Sequence, residues 1–220
     1  MRRLFVFRPE AAARQTVVKA RALGLDAISI PLFEIEPLDW SPPEPSDFDG
    51  LLLTSANSVK AAGDGLDLYR HLPVYAVGEG TAVAARVAGL GVATVGNGGI
   101  YSLLSQVDAN ARLLHLCGED RREPAMAGRS IAPVSIYRAV EKAEVAGLDA
   151  LPGQVAVVHS PRAARRLAEL IDPDRRSTVR IAAISAAAAE AAGDGWEEVR
   201  AARAPNDTDL LALCARLCET

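Results

Sequence analysis

The residues best suited to chemistry lie where β-prone runs stop and helical runs start. Residues 74–89 read VYAVGEGTAVAARVAG: four β-prone residues end at Gly78-Glu79-Gly80-Thr81, and an Ala-rich helix follows with its first residues within 80–82. Gly78 and Gly80 let the backbone approach a ligand closely. Thr81 offers a hydroxyl and a free N–H at a helix start, a setting suited to an anion. Similar joints stand at Arg8-Pro9, Thr54-Ser55-Ala56-Asn57, His159-Ser160-Pro161-Arg162 and Ser185. Most place Ser, Thr or Gly where open N–H groups and the helix dipole favour carboxylates or phosphates. Ser and Thr are also common helix caps, so capping alone explains each joint taken singly.

Other chemistries find no support. The sequence has no G-x-x-x-x-G-K-[ST] loop, no H-E-x-x-H and no G-x-S-x-G elbow. Gly78-Glu79-Gly80 continues Thr-Ala-Val, so it is not G-x-G-x-x-G. His71, His115 and His159 lie in separate elements. His159 adjoins Ser160, but neighbours on an extended chain point to opposite faces, which makes His159 a poor base for Ser160. Cys214 and Cys218 stand four apart on a helical stretch, sharing a face, with no second Cys pair or His nearby. They read as small apolar residues of a buried face, and no metal site is expected. With Cys117 they make three cysteines, which fits a reducing compartment. Glu119-Asp120 beside Arg121-Arg122 reads as a solvated charged loop.

The 220 residues carry a net charge of −4, which argues against general nucleic-acid binding, where a basic patch is expected. Half are hydrophobic and only 5% aromatic, so the core is built mainly from Ala, Val, Leu and Ile. The first apolar run, Leu4 to Phe7, is too short for a secretion signal, and no stretch nears the ~20 apolar residues of a membrane span. The expectation is a soluble, cytoplasmic protein without membrane contact, monomeric by default.

The elements that must position these joints alternate. Strands are expected at 4–7, 26–35, 51–54, 74–77, 92–95, 112–117, 131–140, 154–158, 179–184 and 197–201. Helices are expected at 10–23, 55–62, 80–88, 101–107, 161–171, 185–192 and from about 207 to 217. Asn97-Gly98-Gly99 leads into the fourth of them. Four prolines within 36–45, EPLDWSPPEP, make a stiff connector. This alternation predicts an α/β protein with parallel sheets.

The style recurs. At an offset of 107, Val77 meets Ile184, Ala82 meets Ala189 and Leu103-Leu104 meets Leu210-Leu211; GLLLTSANSVKAA and QVAVVHSPRAARR match in pattern at 105. Two related flavodoxin-like, parallel-sheet lobes follow: residues 1–35 plus 141–220 as a discontinuous lobe, and 41–132 as the other. Linker strands at 33–40 and 132–140 would make a two-stranded hinge beside a cleft, a favoured place for a ligand. Tyr137 sits on the return strand, in VSIYRAV, and would bring a phenol to the cleft floor.

In order along the chain, LFVFRPE, LLLTSANSV, YAVGEGTA, VSIYRAV, VVHSPRAA, IAAISAAAAEAA and APNDTDLLALC resemble the uroporphyrinogen-III synthase family. Each piece is short and degenerate, but the ordered set covers nearly the whole chain. The resemblance implies two α/β lobes joined by a two-stranded linker, with hydroxymethylbilane, a linear tetrapyrrole, as substrate. It implies a cofactor-free dehydrative ring closure that inverts ring D, drawn through an azafulvene cation and a spiro intermediate, and transient contact with the upstream bilane-forming enzyme. It assigns Tyr137, protonated at an ordinary pKa of about 10, to the departing hydroxyl. Thr81, Gly78, Gly80, Ser55, Ser160, Ser185 and Arg8 become substrate-binding, with Arg162 and Arg138 as further carboxylate partners.

Two departures stand out: Ala188 replaces a Thr frequent in the family, so that either Ser185 supplies the hydroxyl instead or none is needed, and the 121–129 stretch, RREPAMAGR, looks shorter than the usual helix. A hinged two-lobe module that binds a polyanion without turning it over, and a degenerate synthase-like regulatory domain, are the competing readings.

Overall fold

The computed structural model describes residues 1–96, 99–120 and 128–219. The chain divides into two compact units, Met1–Glu34 with Glu141–Thr220, and Ile35–Val140.

The first unit carries β1 (Leu4–Phe7), α1 (Glu10–Ala22) and β2 (Ala27–Ser29) from the N-terminal segment. The middle of the chain builds the second sheet from β3 (Phe33–Pro37), β4 (Gly50–Leu53), β5 (Val74–Val77), β6 (Val92–Gly96), β7 (Leu113–Gly118) and β8 (Ile131–Glu141). Helices α2 (Ala56–Ala62), α3 (Glu79–Val87) and α4 (Ile100–Leu104) alternate with these strands. The C-terminal segment returns to the first unit with β9 (Val155–Val158), α5 (Pro161–Leu170), α6 (Pro173–Arg176), β10 (Arg180–Ala183), α7 (Ala186–Ala191), β11 (Glu198–Ala201) and α8 (Asp207–Glu219).

The first sheet runs β11-β10-β9-β1-β2, all parallel. Its central strands are buried on both faces, as the continuous apolar runs LFVF and VAVV require. One face packs Leu4, Val6, Val155 and Val157 against Ala13, Val17, Leu211, Cys214 and Cys218 of α1 and α8. The two helix cysteines lie where their spacing placed them, as free buried thiols.

The second sheet runs β3-β8-β7-β4-β5-β6. Strands β8 to β6 are parallel. On one face α2 and α3 cover Leu51, Leu53, Leu114 and Leu116; on the other, Leu103 and Leu104 of α4 cover Leu52 and Leu113. If β1 and β2 are matched to β7 and β8, both sheets share one strand order, so the units are cyclic permutations of each other.

The expected single strand over 26–35 is two strands in two sheets. Ile30 N–H still bonds to Val6 O at 3.0 Å, but Pro31 has no N–H and ends the run. β3 then begins at Phe33 and lies beside β8: Lys142 N–H bonds to Leu32 O and Leu38 N–H to Ile136 O, partners that descend as the chain ascends, so this pair is antiparallel. The Pro-rich stretch that follows is packed. Trp40 stacks on Tyr69 with ring centroids 6.5 Å apart, and the Tyr69 hydroxyl donates to Pro43 O at 2.7 Å. A 3₁₀ turn over Gly63–Tyr69, unread in the sequence, buries Leu66 and Tyr69 to make that contact.

Candidate functional site

In open α/β sheets, ligands sit beyond the carboxyl ends of the strands, where the winding direction reverses. In the second sheet that point lies between β4 and β7, since β4 leads through α2 to β5 on one side while β7 leads to β8 on the other. In the first sheet it lies between β9 and β1.

At the β4–β7 point, β4 hands over to Thr54 and Ser55. Ser55 caps α2, its Oγ accepting from Asn57 N–H at 3.1 Å. Beneath, Thr54 Oγ1 meets His115 Nε2 of β7 at 3.2 Å. β7 ends at Gly118, and there the ladder with β8 slips: Cys117 faces Ser135, but Gly118 faces Tyr137. The extra residue is a β-bulge, which re-aims a side chain. It lets Ile136 and Tyr137, adjacent in sequence, both pack on the same core face.

Tyr137 is half-buried, and its ring lies on Gly118 so closely that a Cβ on Gly118 would stand 2.7 Å from Cε2. Burial raises the phenol above its ordinary pKa. The Ser55 hydroxyl opposes this, the Cys117 thiol adds to it, and the Ser58 hydroxyl and the Gly118 backbone oppose it. The net result is a phenol that keeps its proton at neutral pH and can donate it.

The Gly78–Thr81 joint follows the next strand. Gly78 adopts φ 88°, ψ 154°, open only to glycine, and the helix starts at Glu79, earlier than expected. That one-residue shift overturns the free N–H expected of Thr81: it is spent on Gly78 O at 3.2 Å. Thr81 occupies the third helical position, only 6% exposed, and Glu79 on the outer face pairs with Arg86 at 2.8 Å.

In the first unit Ser160 and Ser185 cap α5 and α7, accepting from Ala163 N–H at 3.1 Å and Ala188 N–H at 3.3 Å. Ser160 therefore serves as a helix cap, while the ring of His159 turns elsewhere, to 3.4 Å from Asp207. Ala188 is fully enclosed. Arg162 stacks over the Phe33 ring at 4.6 Å. Arg138, of the other unit, pairs with Glu36 at 2.9 Å.

Arg8 is the residue whose setting differs most from the sequence reading. Its Nη1 donates to Thr16 Oγ1 at 3.0 Å and to Asp207 Oδ1 at 3.3 Å; Lys19 Nζ reaches the other Asp207 oxygen at 2.9 Å. His159, Lys19 and Arg8 together hold the Asp207 carboxyl well below the usual carboxylate range, against the effect of burial. Burial lowers Arg8 and His159 from their ordinary values. Asp207 was legible only as one acid in a helix-starting NDTD; its partner lies 199 residues earlier. Asn97, Gly98 and residues 121–127, including Arg121-Arg122 and most of the short RREPAMAGR stretch, lie outside the described residues.

The geometry is that of helix starts around two strand-reversal points, with a protonated phenol at one and a charge cluster at the other. No helix among the described residues is long and apolar enough to cross a membrane. A comparison with curated proteins gives no match. The fold is similar to the crystal structure of uroporphyrinogen-III synthetase from Helicobacter pylori 26695, with a TM-score of 0.67 at 15% identity over 99% of this chain and 100% of that one. It is similar to a mutant uroporphyrinogen III synthase from the extremely thermophilic bacterium Thermus thermophilus, with a TM-score of 0.51 at 20% identity over 99% and 100%. A family model described as uroporphyrinogen-III synthase HemD matches residues 14–212, most of the chain, and this chain therefore belongs to that enzyme family.

Proposed function

We propose that the protein is a uroporphyrinogen-III synthase, a cofactor-free hydro-lyase that closes hydroxymethylbilane into a ring with inversion of ring D. Family membership supports the assignment, and the observation that carries the chemistry is the Tyr137 phenol, held protonated at the carboxyl ends of β4 and β7.

The reaction asks little of side chains. The carbinol C–O bond of the bilane breaks, the hydroxyl leaves as water with the help of a hydrogen-bond donor, and an azafulvene cation remains. The terminal pyrrole attacks it at the substituted carbon, giving a spiro intermediate; reopening and reclosure invert ring D, and a proton is lost. Tyr137 donates toward the departing hydroxyl. The rest is positioning and exclusion of water, which decide which carbon is attacked.

The substrate's acetate and propionate groups go to the helix starts. Ser55, Gly78, Gly80 and Thr81 serve in one unit and Ser160, Arg162 and Ser185 in the other. Each capping serine spends a lone pair on its helix; the O–H groups of Ser160 and Ser185 remain to be given, and that of Ser55 is shared with the Tyr137 phenol. Thr81 contributes through its hydroxyl, its N–H being engaged. Arg8 contributes as part of a cluster that retains one positive charge in surplus, since Arg8 and Lys19 face the single Asp207 carboxylate. Because the bilane also closes unaided to the symmetric isomer, transient contact with the enzyme that forms it would shorten its exposure.

The test is to supply freshly made hydroxymethylbilane, oxidise the products and resolve the isomers. A type-III product formed faster than the uncatalysed closure supports the assignment; type-I product alone, at the uncatalysed rate, overturns it.

A further inference from the structure

We propose that Ser58 is a positioning residue for Tyr137: its enclosed hydroxyl, one turn after Ser55 on α2, fixes the direction in which the phenol points. The inference rests on reading Tyr137 as the donor to the leaving hydroxyl.

Ser58 has no exposed surface, and its Oγ makes no hydrogen bond of good geometry among the described residues. An enclosed hydroxyl without a partner destabilises a fold, and alanine would avoid that cost. The fold itself shows that alanine fits such a position. Counting from the capping residue, Ser58 is the third residue of α2, and the third residues of α5 and α7 are Ala163 and Ala188, both buried. What distinguishes position 58 is its neighbour. Tyr137 packs in one cluster with Val59 and Ala62 of the same helix, its phenol is within the influence of the Ser55 and Ser58 hydroxyls, and its ring is held on Gly118.

The two serines are not equivalent. Ser55 Oγ already accepts the Asn57 N–H, and Ser55 is part-exposed. Ser58 is closed off from any substrate, so it can act only through the phenol. A phenol that donates outward gathers negative charge on its oxygen. The Ser58 O–H, committed to nothing else, can turn to donate to that oxygen from behind. Such a bond strengthens as the proton moves, so it favours the transition state over the ground state.

The test uses Ser58→Ala in the full chain, with selectively labelled tyrosine followed by NMR. The Tyr137 signal is assigned by its loss in Tyr137→Phe. Removing a donor to the phenolate should raise the Tyr137 titration midpoint, and an unmoved midpoint overturns the proposal. With hydroxymethylbilane, kcat should fall about five-fold, the worth of one neutral hydrogen bond, with KM nearly unchanged. In a Tyr137→Phe background the same change should cost nothing more; an equal fall in both backgrounds would make Ser58 a packing residue and overturn the proposal. Should the wild type form no type-III product, the functional assignment falls, and the titration alone decides the role of Ser58.

Discussion

Gly118→Ala places a single methyl group against the Tyr137 ring. A Cβ at 118 stands 2.7 Å from Cε2, 2.9 Å from Cζ and 3.1 Å from the hydroxyl oxygen, where ordinary contact begins at 3.4 Å. The ring must therefore withdraw by about 0.7 Å, the difference between 3.4 and 2.7. The backbone does not share the movement: Gly118 has no positive φ to strain, and the ladder is tied just beyond it by Glu119 N–H to Tyr137 O at 2.9 Å. The side chain yields, and with it the phenolic oxygen. A misplacement of about 1 Å at a reacting group costs on the order of 100-fold in rate. A loss of roughly ten- to a hundredfold in kcat is expected, about 1.4–2.7 kcal/mol of transition-state stabilisation. The packing penalty of about 1–3 kcal/mol leaves the domain folded. The assay is the time course of type-III product from fresh hydroxymethylbilane, with circular dichroism and urea unfolding on the same sample. Wild-type turnover by a folded Gly118→Ala protein would refute the placement of the Tyr137 ring in the chemistry.

Tyr137→Phe keeps the ring on Gly118 but removes the proton; kcat should fall by about 100-fold or more while the unfolding midpoint stays near wild type, and unchanged turnover would remove Tyr137 from the mechanism. Gly78→Ala meets no atom within 4 Å but forces φ +88° on a residue with a Cβ, so a loss of about 1–3 kcal/mol should appear in urea unfolding, from backbone strain alone. Acid should destabilise the fold in two steps. Burial, aided by Arg8 and Lys19, lowers His159 and outweighs Asp207, so the unfolded chain takes up that proton first as pH falls below about 6.5. Asp207, lowered by His159, Lys19 and Arg8, contributes stability that is full above its unfolded pKa of about 3.9 and is lost as pH falls below it. Urea midpoints against pH should show both steps in the wild type and only the lower one in His159→Gln; an identical profile in the two proteins would contradict this account.

Local chemistry was readable where one short stretch determines the outcome. Ser55, Ser160 and Ser185 cap the helices they precede, because a serine before a helical run has an N–H two or three residues ahead to accept from. The strands at 4–7 and 74–77 begin and end as their β-prone runs do. Pro31 is plain in the sequence, but that it divides two sheets depends on the bonds of Ile30 to Val6 and of Leu32 to Lys142, distant in sequence. Thr81 lost its N–H to a one-residue shift in where the helix begins, a shift set by Gly78 adopting a conformation that sequence leaves open. Ser58 and Gly118 are ordinary as sequence, a serine in a helix and a glycine ending a strand, until Tyr137 is laid against them. Arg8 read as free to bind, since nothing in LFVFRPE reveals an aspartate 199 residues on.

Two sheets with one strand order place different chemistry at their reversal points, and the difference matches what the proposed reaction needs. At the β9–β1 point, Arg8 and Lys19 surround Asp207, leaving positive charge in surplus beside the start of α5. Carboxylates gain there, and a carbocation would be repelled. At the β4–β7 point, the groups that act on the Tyr137 phenol are the hydroxyls of Ser55 and Ser58, the Cys117 thiol and the Gly118 backbone. The azafulvene cation is better tolerated beside neutral oxygens that can turn their lone pairs toward it than beside fixed guanidinium or ammonium groups. The third residues of the helices follow the same division: Ser58 and Thr81 carry hydroxyls in one unit, Ala163 and Ala188 carry none in the other. Ala188 then needs no compensation. The unit that holds it has the electrostatics to bind carboxylates, and in the proposed reaction the bond-breaking step would fall to the unit whose helices carry hydroxyls and whose bulge turns Tyr137 onto Gly118.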